Sequence, residues 1–471
     1  MTEQRGDALD TTLSAEIFFI ALENSKYLIY APLRRAAFIG NRSAADFLRR
    51  LRSGSLPPDA NPDRSMLQLL RGLQIVGAGP ERQPVSECAG EPMPTGVTLF
   101  LTTTCNLRCR YCYASAGNEP AKAMSMETAK RGIDFVAGNA ARTGSPGFEV
   151  AYHGGGEPTL HWRVLTESFA YAKRKAVELG MQLRTSLATN GVLSGKKLDW
   201  IVANLDGVNL SCDGLPEIHD EYRPAANGGG SSRRVLHTMR HLDEAGFRYG
   251  IRLTVMAEYI SRLPDSVDFI FSRFRPSAAQ IEPVYLLGRG RTERSAETDE
   301  FIEAFRIARE GAAGRGRQIL FSGARVGALT SHFCGISRDN FCLSADGNVS
   351  ACHEAFSEAG PLGGIFFYGH PSPGPTGYSF DREVLNHLRA QTVDRREHCR
   401  DCFARWSCGG DCYYKWLAAS GDTAFNGSAR CHVIRELSKD QILEKISDSG
   451  GLFWHDPPSW PERDFSLMER C

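Results

Sequence analysis

Between residues 96 and 325 the apolar positions of the chain switch repeatedly between two spacings. Short runs of β-branched and aliphatic residues at 97–103, 148–152, 183–188, 207–211, 249–255 and 279–285 read as strands. Each is followed by apolar residues at helical spacing, near 125–141, 162–180, 195–203, 232–245, 263–273 and 299–313. Strands alternating with helices predict an α/β fold with a parallel sheet and the helices outside it. A complete eight-stranded barrel takes about 250 residues, so six units in this length predict a partial (β/α)6 barrel.

The flanks are patterned differently. Segments 17–22, 27–30 and 36–39 are short and aromatic or β-branched, separated by the turn-like 23–26 and by Pro32, which predicts a three-strand meander. Two helices follow, one starting near Ser43 with Ala44, Phe47, Leu48 and Leu51 inward, the other carrying Met66, Leu67, Leu69, Leu70 and Leu73. Polar stretches at 53–64 and 77–94 serve as connectors. Residues 1–92 are therefore expected to form a small α+β domain, 93–330 the barrel, and 331–471 a loop-rich domain with a tail. In that tail a helical pattern at 433–446 and the aromatic residues Phe453, Trp454, Trp460 and Phe465 are expected to pack against the barrel mouth.

Composition narrows the class. The 471 residues include 55 basic and 55 acidic side chains, so net charge gives no argument for a nucleic acid or membrane partner. The first 16 residues are polar, without an apolar signal core, and no stretch approaches the roughly 18 to 20 apolar residues of a membrane span. A cytoplasmic protein is expected. Among the fourteen cysteines, those that cluster read as metal ligands rather than disulfides in a reducing compartment. Three of them, Cys105, Cys109 and Cys112, lie just past the first predicted barrel strand, and eight lie between 334 and 431. Cys88, Cys212 and Cys471 are left over; Cys212 is expected in the core as a small hydrophobe and Cys471 as a free thiol at a chain end.

Three thiolates on one loop leave one iron of a four-iron cube open to a non-protein ligand. Zinc also takes thiolates, although it favours CxxC pairs in closed shells of four. The CxxxCxxC spacing, with Tyr111 before the third cysteine, resembles the signature of radical S-adenosylmethionine (SAM) enzymes. That resemblance implies the partial barrel, a 4Fe–4S cluster on Cys105, Cys109 and Cys112, and SAM chelated to the open iron and cleaved to a 5′-deoxyadenosyl radical. It also nominates cofactor contacts at strand ends. His153-Gly154-Gly155-Gly156-Glu157-Pro158 resembles the family's GGE motif, with Gly155, Gly156 and Glu157 at the SAM amino group. Asn190, in Thr189-Asn190-Gly191, is either a polar contact or simple turn chemistry. The stretch from Ser211 and Asp213 to His219-Asp220 resembles an S-x-D-G-P-x-x-H-D motif that implies ribose or carboxylate contacts. The family's adenine-binding motif is not legible.

The order Cys334, Cys342, Cys352, then Cys399-x2-Cys402-x5-Cys408-x3-Cys412, then Cys431 resembles the SPASM extension, which holds two auxiliary 4Fe–4S clusters. By that resemblance Cys334, Cys342, Cys352 and Cys412 ligate one, and Cys399, Cys402, Cys408 and Cys431 the other. Two zinc ions in a ribbon are the alternative. The combined pattern implies three clusters and a maturase that abstracts hydrogen from a ribosomally made precursor peptide and forms a thioether or carbon–carbon cross-link. Flavodoxin or ferredoxin would be the reductant. The N-terminal domain resembles winged-helix leader-peptide modules in element order, or is a cap on the barrel. Two alternatives stand: sulfatase-maturase oxidation of Cys or Ser to formylglycine, and an iron–sulfur binder or relay without SAM turnover. Sulfatase maturases carry an Asp base after the third cysteine of the first auxiliary cluster. Here His353 and Glu354 follow Cys352, making them the candidate catalytic pair.

Overall fold

A computed structural model describes residues 13–456, apart from 15, 56–63, 119 and 374–376. Part of the connector at 53–64, and Trp460, Phe465 and Cys471, lie outside the described residues.

The chain opens with β1 (Phe18–Ala21), β2 (Lys26–Ala31) and β3 (Ala36–Asn41), an antiparallel meander, followed by α1 (Arg42–Ser53) and α2 (Arg64–Gly72). The Asn41 side chain accepts from the Ala44 N–H at 2.9 Å and so starts α1. Ile29, Phe38, Leu48, Leu70 and Ile75 close a small core between sheet and helices.

The central region alternates β4 (Gly96–Phe100), α3 (Met126–Thr143), β5 (Gly147–His153), α4 (Trp162–Leu179), β6 (Gln182–Thr189), α5 (Gly195–Asn204) and β7 (Gly207–Ser211). After β7 comes a short helix α6 (Pro216–Tyr222), absent from the periodicity reading, with Pro216 suited to a first helical turn. Then follow α7 (Ser232–Glu244), β8 (Tyr249–Val255), α8 (Leu263–Arg273), β9 (Ala279–Pro283), α9 (Thr298–Ala313) and the two-residue β10 (Ile319–Leu320). Strands β4 to β10 pair in sequence order and all in parallel, so every strand end that leads into a helix points the same way.

The cysteine-rich region continues this sheet. β11 (Cys342–Leu343) pairs in parallel with β4, placing Cys342 opposite Thr98. The antiparallel β12 (Val349–Ser350), β13 (Phe367–Pro371) and β14 (Tyr378–Phe380) extend the sheet outward. The free edge of the partial barrel is thus covered, which removes an unpaired row of backbone groups.

The tail departs from expectation. Instead of packing at the barrel mouth, β15 (Phe453–His455) pairs antiparallel with β3 and completes a four-stranded N-terminal sheet. Trp454 is buried among Leu28, Tyr30, Ala37, Ile442 and Ile446, the last two from the helix Ala429–Asp448. A large indole finds more buried apolar surface in the crevice between this sheet and helix than at a rim. Trp454→Ala is expected to weaken this crevice by about 3–5 kcal/mol and to speed amide exchange across 36–38; unchanged exchange there would contradict the packing.

Candidate active site

The loop after β4 carries Cys105, Cys109 and Cys112 at the end of the sheet where the parallel strands lead into their helices, the end at which barrels of this kind gather their chemistry. It is pinned from two sides. The N–H groups of Arg108 and Arg110 donate to the carbonyls of Pro224 and Tyr222, at 2.7 and 2.9 Å. From the far side of the barrel, Arg289 donates through Nε to the Cys109 carbonyl at 2.9 Å and through its backbone N–H to that of Cys112 at 3.0 Å. Burial, with the neighbouring Cys112 and Cys105 sulfurs adding to it and Arg223 opposing, raises the Cys109 thiol to about 12. Thiols crowded in this way are poor anions by themselves, and bound iron would supply the positive charge that deprotonates them. The Cys105 sulfur accepts from the Leu107 N–H at 3.4 Å and from Asn190 Nδ2 at 3.7 Å.

The glycine turn after β5 lies directly under this loop. Gly156 N–H donates to the Thr102 carbonyl and Glu157 N–H to that of Thr104. A Cβ on Gly156 would stand 2.2 Å from the Thr104 oxygen, and one on Gly155 would stand 2.4 Å from the Phe356 ring. No side chain larger than hydrogen is compatible with either contact. The Glu157 carboxylate is fully engaged, accepting from Thr159 Oγ1 at 2.6 Å, Thr189 Oγ1 at 2.8 Å and the Asn190 N–H at 2.8 Å. It braces the turns after β5 and β6 against each other. Burial raises its pKa, and these donors oppose the rise.

Ser211 ends β7, and Asp213 follows, buried. Tyr111 donates its hydroxyl to Asp213 Oδ2, to which Arg223 Nε also donates at 2.8 Å, while the Thr254 N–H reaches Oδ1 at 3.2 Å. The Arg223 guanidinium lies 5.0 Å from the centre of the Tyr111 ring. Arg223 is therefore the buried cation beside Cys109, and sequence reasoning missed it; its only signal is its place four residues after His219. His219 and Asp220 have structural work. His219 Nδ1 accepts from the Asp213 N–H at 3.3 Å, and Asp220 Oδ1 accepts from the N–H groups of Ser231 and Ser232. Cys212 sits in the core, as expected.

The eight cysteines from Cys334 to Cys431 fall into two neighbourhoods. Cys334, Cys352 and Cys412 line a cavity of about 210 Å³ together with His353, Glu354 and Tyr414. Cys352 is raised by burial, then by Glu354, Cys412 and, more weakly, Cys342. Asn340 Nδ2 donates to the Cys342 sulfur at 3.2 Å. In the other neighbourhood burial raises Cys399 to about 12, with Cys402 and Cys431 adding, and Cys408 feels Cys402. Cys412 thus sits with cysteines far upstream rather than with its sequence neighbour Cys408. Among the described residues no three His, Cys, Asp or Glu side chains are drawn in around a single ion.

The segment after Cys352 joins the two regions. Tyr113 donates its hydroxyl to the carbonyls of Gly154 and His353, at 3.2 and 3.5 Å. The His353 ring stacks on His153, centroids 5.3 Å apart, with its Nε2 3.3 Å from Thr98 Oγ1. Burial, followed by the nearby His353 and Arg252, lowers His153 to about 3, so it is neutral, and its Nδ1 lacks a hydrogen-bond partner among the described residues. Glu354 Oε1 lies 3.7 Å from Lys415 Nζ, while its buried Oε2 has no partner among the described residues. Lys415, another residue missed in the sequence, sits 3.9 Å above the Tyr285 ring beyond β9.

Residues 99–270 match the Radical SAM superfamily. Relatives include the Fe-coproporphyrin III synthase of Methanosarcina barkeri, 30% identical over 239 residues, 50% of this chain and 54% of that protein. The antilisterial bacteriocin subtilosin biosynthesis protein AlbA of Bacillus subtilis is 24% identical over 368 residues, 75% of each chain. The chain spans about half the length of the first curated relatives it matches. Native anSMEcpe with bound AdoMet and Cp18Cys peptide shares the fold at a TM-score of 0.60, with 17% identity, covering 76% of this chain and 99% of that one. No described helix is long and apolar enough to cross a membrane. Residues 99–270 thus match the Radical SAM superfamily, a family that implies SAM and a 4Fe–4S cluster, and three quarters of the chain is similar to the subtilosin biosynthesis protein AlbA and shares the fold of anSMEcpe.

Proposed function

We propose that this protein is a radical SAM maturase that acts on a ribosomally made peptide and forms a thioether or carbon–carbon cross-link with loss of two hydrogens. The observation that carries the proposal is the contact between two cysteine sites. The loop of Cys105, Cys109 and Cys112 and the turn of Gly155 and Gly156 lie on one side of the segment His353 to Phe356, and the Cys334, Cys352 and Cys412 cavity lies on the other. Phe356 and the His353 carbonyl meet the first site while His353 and Glu354 line the second, so one short segment spans both.

In this reading Cys105, Cys109 and Cys112 hold the SAM-binding cluster; Cys334, Cys342, Cys352 and Cys412 hold one auxiliary cluster, and Cys399, Cys402, Cys408 and Cys431 the other. The two neighbourhoods of thiols support that partition. When bound, SAM and its cluster supply a 5′-deoxyadenosyl radical that takes a hydrogen atom from the substrate. The chain's own residues do the rest. Tyr111, Gly155, Gly156, Glu157, Asn190, Ser211 and Asp213 bound the cofactor cradle, Glu157 and Asp213 also bracing it, with Arg223 offering a cation to an anionic group. His353 and Glu354, the latter beside Lys415, take up the substrate proton, and the remaining electron of the substrate radical would leave to the auxiliary clusters that the cysteines from Cys334 to Cys431 would hold; the unpartnered Oε2 of Glu354 supports the proton-accepting role. Domains 1–92, 93–330 and 331–471 are assigned to leader recognition, radical generation and auxiliary clusters in a cytoplasmic protein reduced by flavodoxin or ferredoxin.

Oxidation of Cys or Ser to formylglycine is the second reading, supported by 30% identity over 187 residues to the cysteine-type anaerobic sulfatase-maturating enzyme of Clostridium novyi; His353 in place of that family's Asp directly after Cys352 weighs against it. A third reading, an iron–sulfur protein without SAM turnover, predicts no 5′-deoxyadenosine.

Reduced, fully loaded protein incubated with SAM is expected to release 5′-deoxyadenosine, and Cys105→Ala to abolish that release. Cys352→Ala is expected to retain part of the cleavage while losing peptide product; the reverse pattern would overturn the division of roles. Co-expression with a short Cys-containing neighbouring reading frame is expected to yield a peptide lighter by two hydrogens per cross-link, read by mass spectrometry. An unchanged mass with loaded, SAM-cleaving protein would count against the maturase.

A further inference from the structure

The turn between Cys408 and Cys412 holds its backbone in an unusual state. Gly409, Gly410 and Asp411 have φ of +74°, +100° and +67°. A Cβ on Gly409 would stand 2.3 Å from the His332 carbonyl oxygen, so glycine is obligatory there. Asp411 is different. It adopts the left-handed conformation with a side chain, at a cost that glycine would avoid. Asp is one of the few side chains that tolerate this region, and what sets Asp411 apart is where its carboxylate goes.

That side chain is buried, 2% exposed, between the two groups of thiols. The Asp411 N–H donates to the Cys408 sulfur at 3.2 Å, and the next residue is Cys412, which belongs to the other group. Asp411 Oδ2 accepts from Ser428 Oγ at 2.8 Å, and the same hydroxyl lies 3.8 Å from the Cys431 sulfur. Asp411 Oδ1 accepts from Arg430 Nε at 2.7 Å, and Arg430 adjoins Cys431. Through Nη1 the same guanidinium reaches Glu282 Oε2 at 2.9 Å, and through Nη2 Ser322 Oγ at 2.9 Å, which ties the end of β9 to the cysteine domain. Two carboxylates therefore share one buried guanidinium at the boundary of the two sites.

We propose that Asp411, held by Arg430, which Glu282 holds in turn, is a positioning residue whose buried charge is shared by both auxiliary iron–sulfur sites and sets their reduction potentials together. This rests on the two-cluster reading above. Cluster potentials respond to net charge and to hydrogen bonds at the sulfurs, and a fixed charge in a low-dielectric interior acts more strongly than one in water. A carboxylate disfavours the extra electron of the reduced cluster; the guanidinium favours it. The hub also fixes the spacing of the two sites, since one residue carries a bond to Cys408 and the peptide link to Cys412.

The test is a redox titration of fully reconstituted protein, followed by electron paramagnetic resonance. Asp411→Asn keeps the shape and tolerates the left-handed backbone, and Arg430→Gln removes the opposite charge. At a fixed poise Asp411→Asn is expected to raise the reduced-to-oxidised ratio of both auxiliary signals several-fold. Arg430→Gln is expected to lower both several-fold, with the signal of the SAM-binding site unmoved in each. Should Asp411→Asn fail to load, Glu282→Gln, outside the cysteine loops, is expected to shift the ratios in the same sense as Asp411→Asn. Shifts of the same sign for charge removals of opposite sign, or ratios equal to wild type, would overturn the proposal. Iron and sulfide analysis showing a single cluster in the loaded wild type would instead overturn the two-cluster reading beneath it.

Discussion

The structure depends on bringing thiols together in places where, without metal, they are unwelcome. Cys109, Cys342 and Cys399 are pushed up to about 12, in each case first by burial. Sulfur held in a dry interior stays protonated until a cation compensates it. Everything that positions these side chains acts against that penalty: the backbone clamps on the loop after β4, the Asn340 amide on Cys342, and the Asp411 amide on Cys408. A metal bound at such thiols would supply the compensating charge and couple its own binding to folding, as structural metals do in general.

The parallel sheet solves the placement. With β4 to β9 aligned, the turns after β4, β5 and β6 and the start of the loop after β7 collect at one end, and Glu157 and Asp213 tie neighbouring turns into a rigid rim. Most of the recognisable motif residues act on this frame. Glu157 spends its acceptors on Thr159, Thr189 and Asn190, and Asp213 spends its own on Tyr111, Arg223 and Thr254. Rigidity of this kind keeps a reactive site at fixed distances.

The cysteine domain joins that frame by strand pairing rather than by simple docking. Because β11 extends the sheet from β4, Cys342 is fixed in register with Thr98, and the following segment can carry His353 and Phe356 over the glycine turn. On the opposite flank β15 returns to β3, so the N-terminal sheet, the helix Ala429–Asp448 and the turn near Val326 share one apolar seam.

The sequence by itself determined the six βα units, the meander and two helices before them, and the grouping of cysteines into three and eight, because each rests on local periodicity or on spacing along the chain. Tertiary structure alone decided the rest. Periodicity is blind to which strand a three-residue segment such as Phe453–His455 will join, since any exposed edge offers the same backbone bonds. Spacing is equally blind to Arg223, Lys415 and Arg430, isolated cations in no motif whose roles come from carboxylates and aromatic rings brought beside them from distant parts of the chain. Burial then turns those encounters into chemistry, because a charge removed from water must be answered by whatever group the fold places next to it.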